Sequence, residues 1–195
     1  NEVYWSEGLC ENGDTCTPAQ NYVTEISTGK TTDFPFQFPV FSISGDYYAY
    51  ANAKGEDAVG VWVANLEEPP GRFLPLPGDH LMGYEWSPDG DQLAMTTLVR
   101  SEYSGRPSDV RIFLLDPETW VQREMNPVSG LNALLTWSGD GDRLLISSSS
   151  QLDADNYAIN LWVIDLEKQR TINLADSIKI TSKQYISVEH IEWLP

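Results

Sequence analysis

Asp153, Asp155 and Asn156 place side-chain oxygens close together in one short polar stretch, Asp153-Ala-Asp-Asn156. Oxygen donors in that arrangement suit calcium, a hard cation held by carboxylates, amide carbonyls and water. The stretch lacks the glycine and the distal bidentate glutamate of an EF-hand loop, so a solvated acidic loop is the competing reading. Cys10 and Cys16, the only cysteines, flank Glu-Asn-Gly-Asp-Thr. An even count within one polar loop reads as a local disulfide and points to an oxidising compartment. Two free thiols are the alternative; a zinc site is weaker, because the spacing and the lack of a nearby His miss the usual pattern. Catalytic groups are sparse. His80 and His190 are the only histidines, and there is no Gly-x-Ser-x-Gly elbow, His-Glu-x-x-His pair or phosphate-binding loop. The chain reads as a non-enzyme more readily than as an enzyme, and calcium is the one cofactor worth naming.

Charge narrows the partners. The 195 residues carry 29 acidic against 12 basic side chains, a formal net charge of −17. That balance repels phosphate backbones and anionic membrane surfaces, so no nucleic acid is expected as a partner. No apolar run reaches bilayer-spanning length, so no membrane insertion is expected. Solubility, cation binding and basic partners remain as reasons for the acidity. The chain opens on Asn1 rather than Met, which fits maturation by cleavage, implying export, or simple trimming.

The elements that must position these residues come from a repeat. A bulky residue opens the same phrase at Phe41-Ser-Ile-Ser-Gly-Asp46, Trp86-Ser-Pro-Asp-Gly-Asp91 and Trp137-Ser-Gly-Asp-Gly-Asp142, and again at Trp193-Leu-Pro195. Self-similarity at an interval of about 45–56 residues points to a β-propeller, each repeat being one four-stranded blade. An apolar residue ends a strand, Ser-Pro-Asp-Gly turns, and Leu93-Ala-Met95 or Leu144-Leu-Ile146 begins the next strand. Third strands follow at Val61-Trp-Val63, Ile112-Phe-Leu114 and Leu161-Trp-Val163, and Asn21–Ile26 reads as the same unit.

These residues resemble the TolB-type, WD-like propeller repeat, which runs Trp-Ser-Pro-Asp-Gly, then Leu-Ala-Phe, then an Ile-Tyr-Val-Asp-Leu-like strand. The resemblance covers essentially the whole chain. It is closest at 86–95 and 137–146 and weakest at 41–46, where Phe replaces Trp and Ile-Ser replaces Pro-Asp. It implies a propeller fold and leaves activity open, because propellers host many unrelated roles. TolB-like propellers bind partners in the periplasm or accompany serine peptidases as gating domains; with the cysteine pair and the start on Asn1, the expected setting is extracellular or periplasmic.

The expected fold is all-β: one β-propeller domain over 1–195 with about four blades. The blades should span 38–76, 80–125 and 133–174, with one shared between the N- and C-termini from 1–34 and 185–194. A four-blade portion of a larger propeller is the alternative. Glu2–Ser6 matches a second strand, and Ser187–Trp193 matches the first strand that it lacks. His190, Ile191 and Trp193 therefore mark an assembly strand, which either closes the ring or exchanges with a second molecule. Links between second and third strands, 7–20, 52–58, 98–109 and 148–157, are long. So are the links between blades, 75–83, 126–132 and 175–185. In a propeller both classes emerge at the same end. Glu56, Asp57, Asp79, Arg100, Tyr103, Arg106 and Tyr157 form the candidate interaction face there, because loops on a rigid scaffold concentrate binding residues. His190, Glu192 and Glu85 fall on first strands, around the central channel. The expected function is a non-catalytic interaction or assembly module whose partner is another protein or a second copy. A glycan- or metal-dependent propeller enzyme is the alternative.

Overall fold

A computed structural model describes residues 2–7, 10–11, 15–16, 20–34, 40–44, 46–51, 59–65, 71–99, 109–130, 133–151, 157–174 and 181–182. Strand β1 (Glu2–Glu7) is followed by a two-residue hairpin, β2 (Cys10–Glu11) and β3 (Thr15–Cys16), then by β4 (Gln20–Glu25) and β5 (Thr31–Phe34). Blade 1 contains β6 (Val40–Phe41), β7 (Tyr47–Ala51), β8 (Gly60–Asn65) and β9 (Arg72–Pro75). Blade 2 contains β10 (His80–Trp86), β11 (Leu93–Val99), β12 (Asp109–Leu115) and β13 (Gln122–Ser129). Blade 3 contains β14 (Ala133–Trp137), β15 (Arg143–Gln151), β16 (Tyr157–Asp165) and β17 (Arg170–Asn173), with β18 (Thr181–Ser182) also paired to β16. Every blade is an antiparallel meander in sequence order, while the N-terminal sheet has the order β1-β4-β5. The described residues are therefore all-β, with three four-strand blades as the repeat predicts.

Third strands such as Ile112–Leu115 are apolar at successive positions because a blade is covered on both faces, so neither side needs to be polar. One face of blade 2, with Leu93, Met95, Phe113 and Leu115, packs with Ala49, Val61, Val63 and Leu74 of blade 1. Its other face, with Ala94, Ile112 and Leu114, packs with Trp137, Leu144, Ile146 and Ile164 of blade 3. Each fully buried Val, Leu or Ile contributes about 1.5–3 kcal/mol, so the two interblade seams are the core. Blade 1 turns an aromatic face away from blade 2. Phe41, Tyr48, Tyr50, Trp62 and Phe73 follow one another there at centroid spacings of 5.9, 6.1, 6.1 and 5.4 Å. Tyr48 is only 1% exposed.

The repeated Trp residues are equivalent in detail. The Trp86 indole Nε1–H donates to the Val40 carbonyl at 2.8 Å, and the Trp137 indole donates to the Glu85 carbonyl at 3.0 Å. Each indole thus fastens its blade to the residue just before the opening of the previous phrase. The tight turns that follow are equally alike. Ser87 Oγ donates to Asp89 Oδ1 at 2.5 Å and accepts from the Gln92 N–H at 2.9 Å. Ser138 repeats this with Asp140 at 2.6 Å and the Arg143 N–H at 3.0 Å. In blade 1 Ser44 stands where the others have Asp, 3.1 Å from Ser42 Oγ. The Ser-Pro-Asp-Gly phrase is thus turn chemistry, a closed set of local hydrogen bonds that satisfies the backbone where the chain reverses.

Several expected boundaries move. Blade 2 runs to Ser129 rather than 125, because the β12–β13 register shifts between Val110 and Ile112. That shift gives β13 an extra residue around Pro127, and Pro, with no N–H, is tolerated in a strand at such a bulge. The inner strand of blade 2 starts at His80, where the expected blade 80–125 begins, and so takes in part of the expected 75–83 link; it has its own register shift between Leu81 and Gly83. β15 reaches Gln151, which shortens the expected 148–157 link, and β18 falls inside the expected 175–185 link. The hairpin of β2 and β3 interrupts the expected 7–20 loop.

Candidate functional site

One end of the propeller is made of the tight turns; the other gathers the longer links. Register places them there. His80 pairs with Leu98, Val99 with Asp109, and Asp109 with Ser129. The end of a second strand, the starts of the third and first strands, and the end of a fourth strand therefore share one end of blade 2. The same end in blade 3 holds Ala133 opposite Ser148 and Gln151 opposite Tyr157.

The base of this link end is built by a contact that the sequence reading missed. Thr97 Oγ1 donates to the Pro77 carbonyl at 2.7 Å, and the Asp79 N–H donates to the Leu98 carbonyl at 2.7 Å. Gly78 lies between them at φ +145°, where a Cβ would come within 2.7 Å of Thr97 Oγ1. In blade 3, Ser148 Oγ donates to the Ser129 carbonyl at 2.8 Å, beside Gly130. A buried hydroxyl on the second strand thus holds down the incoming link in both blades. The available signal was a Gly some seven or eight residues before each Trp, with a Thr or Ser about eleven after it. Ser149, next along β15, is buried and its Oγ has no hydrogen-bond partner.

On the inner strands, Glu85 accepts a long 3.4 Å hydrogen bond from Thr136 Oγ1. Burial pushes its carboxyl above the usual range, against the smaller opposing effect of Thr136. Tyr84, one residue earlier, accepts from the Ala51 N–H at 3.2 Å. Burial raises its phenol as well, with the Ala51 bond opposing. Glu85 is thus the inner-strand carboxyl that the sequence pointed to. The acids of the tight-turn end move the other way. Hydrogen bonds, led by those from Ser87, Thr119 and Ser138 and from the Lys168 backbone, hold Asp89, Asp116, Asp140 and Asp165 below the usual range.

Of the expected interaction face, Asp79 is exposed at the base of the link end, and Tyr157 opens β16. Glu56, Asp57, Arg100, Tyr103 and Arg106 lie outside the described residues. So do the calcium candidates Asp153, Asp155 and Asn156 and the assembly-strand residues His190, Ile191 and Trp193. Among the described residues no three His, Cys, Asp or Glu side chains gather as a metal site. Cys10 and Cys16 face each other in the β2–β3 register.

No family model matches the chain, and no curated protein matches it in sequence. Solved structures do match in fold. The β-propeller domain of the Trilobed protease from Pyrococcus furiosus, described as having an open velcro topology, aligns with a TM-score of 0.61 at 13% identity. That alignment covers 89% of this chain and 53% of the propeller domain. The putative TolB from Agrobacterium tumefaciens gives 0.55 at 13% identity over 88% of this chain and 60% of its own. TolB from Acinetobacter baumannii gives 0.53 at 13% identity over 87% and 40%. The chain thus has a TolB-like propeller fold and spans roughly half the length of the chains it matches.

Proposed function

We propose that this chain is a non-catalytic propeller module that binds another protein, or a second copy of itself, through its link end. The observation that carries this reading is the difference between the two ends. At one end Ser87 and Ser138 close the turns on local hydrogen bonds and leave few backbone groups for a partner. At the other, long links rise from a base fixed by Thr97 and Ser148. Links of varied sequence on a rigid base can be shaped to one partner at little ordering cost. The module occupies the single domain 1–195 and works in an oxidising compartment outside the cytoplasm. The facing positions of Cys10 and Cys16 support that setting, because directly opposed strand positions bring Cα atoms within disulfide reach.

Photo-cross-linking from both ends tests the reading, with the natural exported fraction as the source of partners. A cross-linker at position 79 or 103 should yield a discrete adduct, and one at 91 or 142 should not. Adducts from the tight-turn positions alone, or equally from both ends, would refute it. Thiol titration of the unfolded, unreduced chain should find no free sulfhydryl; two would remove the case for an oxidising compartment.

A further inference from the structure

The face of blade 3 that points away from blade 2 repeats the faces sealed inside the other two seams. Its Leu145, Leu161 and Val163 match Ala94, Ile112 and Leu114 of blade 2 in strand register. Ile112 is 0% exposed and Leu114 3% exposed, whereas Leu145, Leu161 and Val163 stay partly exposed. Beside them Ile172 is 37% exposed. The same surface that closes two seams is thus left half-covered at the third.

We infer that this face is the docking site for the chain's own residues 187–193, laid down as the next inner strand with the Trp193 indole donating to the Thr136 carbonyl. Two further observations carry this. The first is the rule of the indoles. Trp86 donates to Val40 and Trp137 to Glu85, each the residue before the preceding phrase opens, and Thr136 is the residue that comes next. The second is how β18 delivers the chain. Ser182 pairs with Tyr157 at the start of its third strand, just as Pro75 pairs with Gly60 in blade 1. From Pro75 the chain crosses to the next inner strand and reaches Trp86; Ser182 and Trp193 stand at the same separation. Four residues, 183–186, separate Ser182 from position 187, as four, 76–79, separate Pro75 from His80.

Indole proton exchange in the full chain, labelled with 15N-tryptophan, tests this assignment, with Trp193→Phe used to identify the signal. The Trp193 indole should exchange about 100-fold more slowly than in the unfolded chain, the protection class of Trp86 and Trp137. Leu161→Asp should release Trp193 to the unfolded rate while Trp86 and Trp137 stay protected. If that variant fails to fold, Leu161→Ala should speed exchange at Trp193 alone, by about 10-fold. A freely exchanging Trp193 in the parent chain, beside protected Trp86 and Trp137, would overturn the assignment. So would persistent protection in folded Leu161→Asp. Protection that fades on dilution would give the site to a second copy and overturn docking by the chain's own strand.

Discussion

At Glu85 the fold favours the protonated carboxyl more than water does. The carboxyl is raised by burial, so the folded chain binds that proton to a higher pH than the unfolded chain does. Its contribution to stability is fully present below the unfolded pKa and is lost as pH rises through the raised folded value. Asp89, Asp116, Asp140 and Asp165 are lowered. They contribute above the ordinary carboxylate range and lose that contribution as pH falls through their lowered values. Glu85→Gln removes the first effect and leaves the second. The variant should match or exceed the parent at pH 7, by less than about 1 kcal/mol after solvent screening. Its advantage should shrink as pH falls to 4, read as denaturation midpoints; midpoints that run parallel to the parent's from pH 4 to 8 would refute the account. The inner-strand place of Glu85 was legible because it precedes Trp86. Its bond to Thr136 was not, since that contact depends on how two blades set against each other.

Among the elements, strands were legible wherever two-sided burial wrote a continuous apolar run, as in Val61-Trp-Val63 and Ile112-Phe-Leu114. The ends of strands were not. β13 continues through Asn126-Pro127 because a bulge accommodates the proline. β15 continues through Ser147–Ser150, a polar run of low strand propensity, because β16 pairs with it throughout and Ser148 bonds the incoming link. Context outweighs propensity there. The link base itself rests on Gly78. Gly78→Ala would place a Cβ against Thr97 Oγ1 at a φ that side chains rarely adopt. It should cost about 1–3 kcal/mol, measured by chemical denaturation. Thr97→Ala alone should also destabilise, and the two losses should be less than additive, because both substitutions act on the same contact. A neutral Gly78→Ala would show that the link is not held down at this point.

For the whole molecule, the phrase at 41, 86 and 137 encodes equivalent places around an axis, and the indole bonds are what make that equivalence physical. Phe41 is the exception. Its ring has no N–H to donate, and the face of blade 1 turned away from blade 2 carries a run of aromatic rings, with Phe41 tilted against Tyr48 and Tyr48 stacked on Tyr50. Repetition in the sequence was enough to read the architecture, because every blade must solve the same packing problem. The identity of a partner was not legible, because the links that would contact it follow no repeat. The central claim, that successive blades are equivalent units fastened by their Trp residues, is tested most directly by comparing Trp86→Phe with Trp137→Phe. Each keeps a ring in the seam and loses one buried hydrogen bond, so each should lower stability by about 1 kcal/mol. The two losses should agree within roughly half a kcal/mol and should add in the double variant. A neutral effect at one Trp beside a large loss at the other would contradict the account.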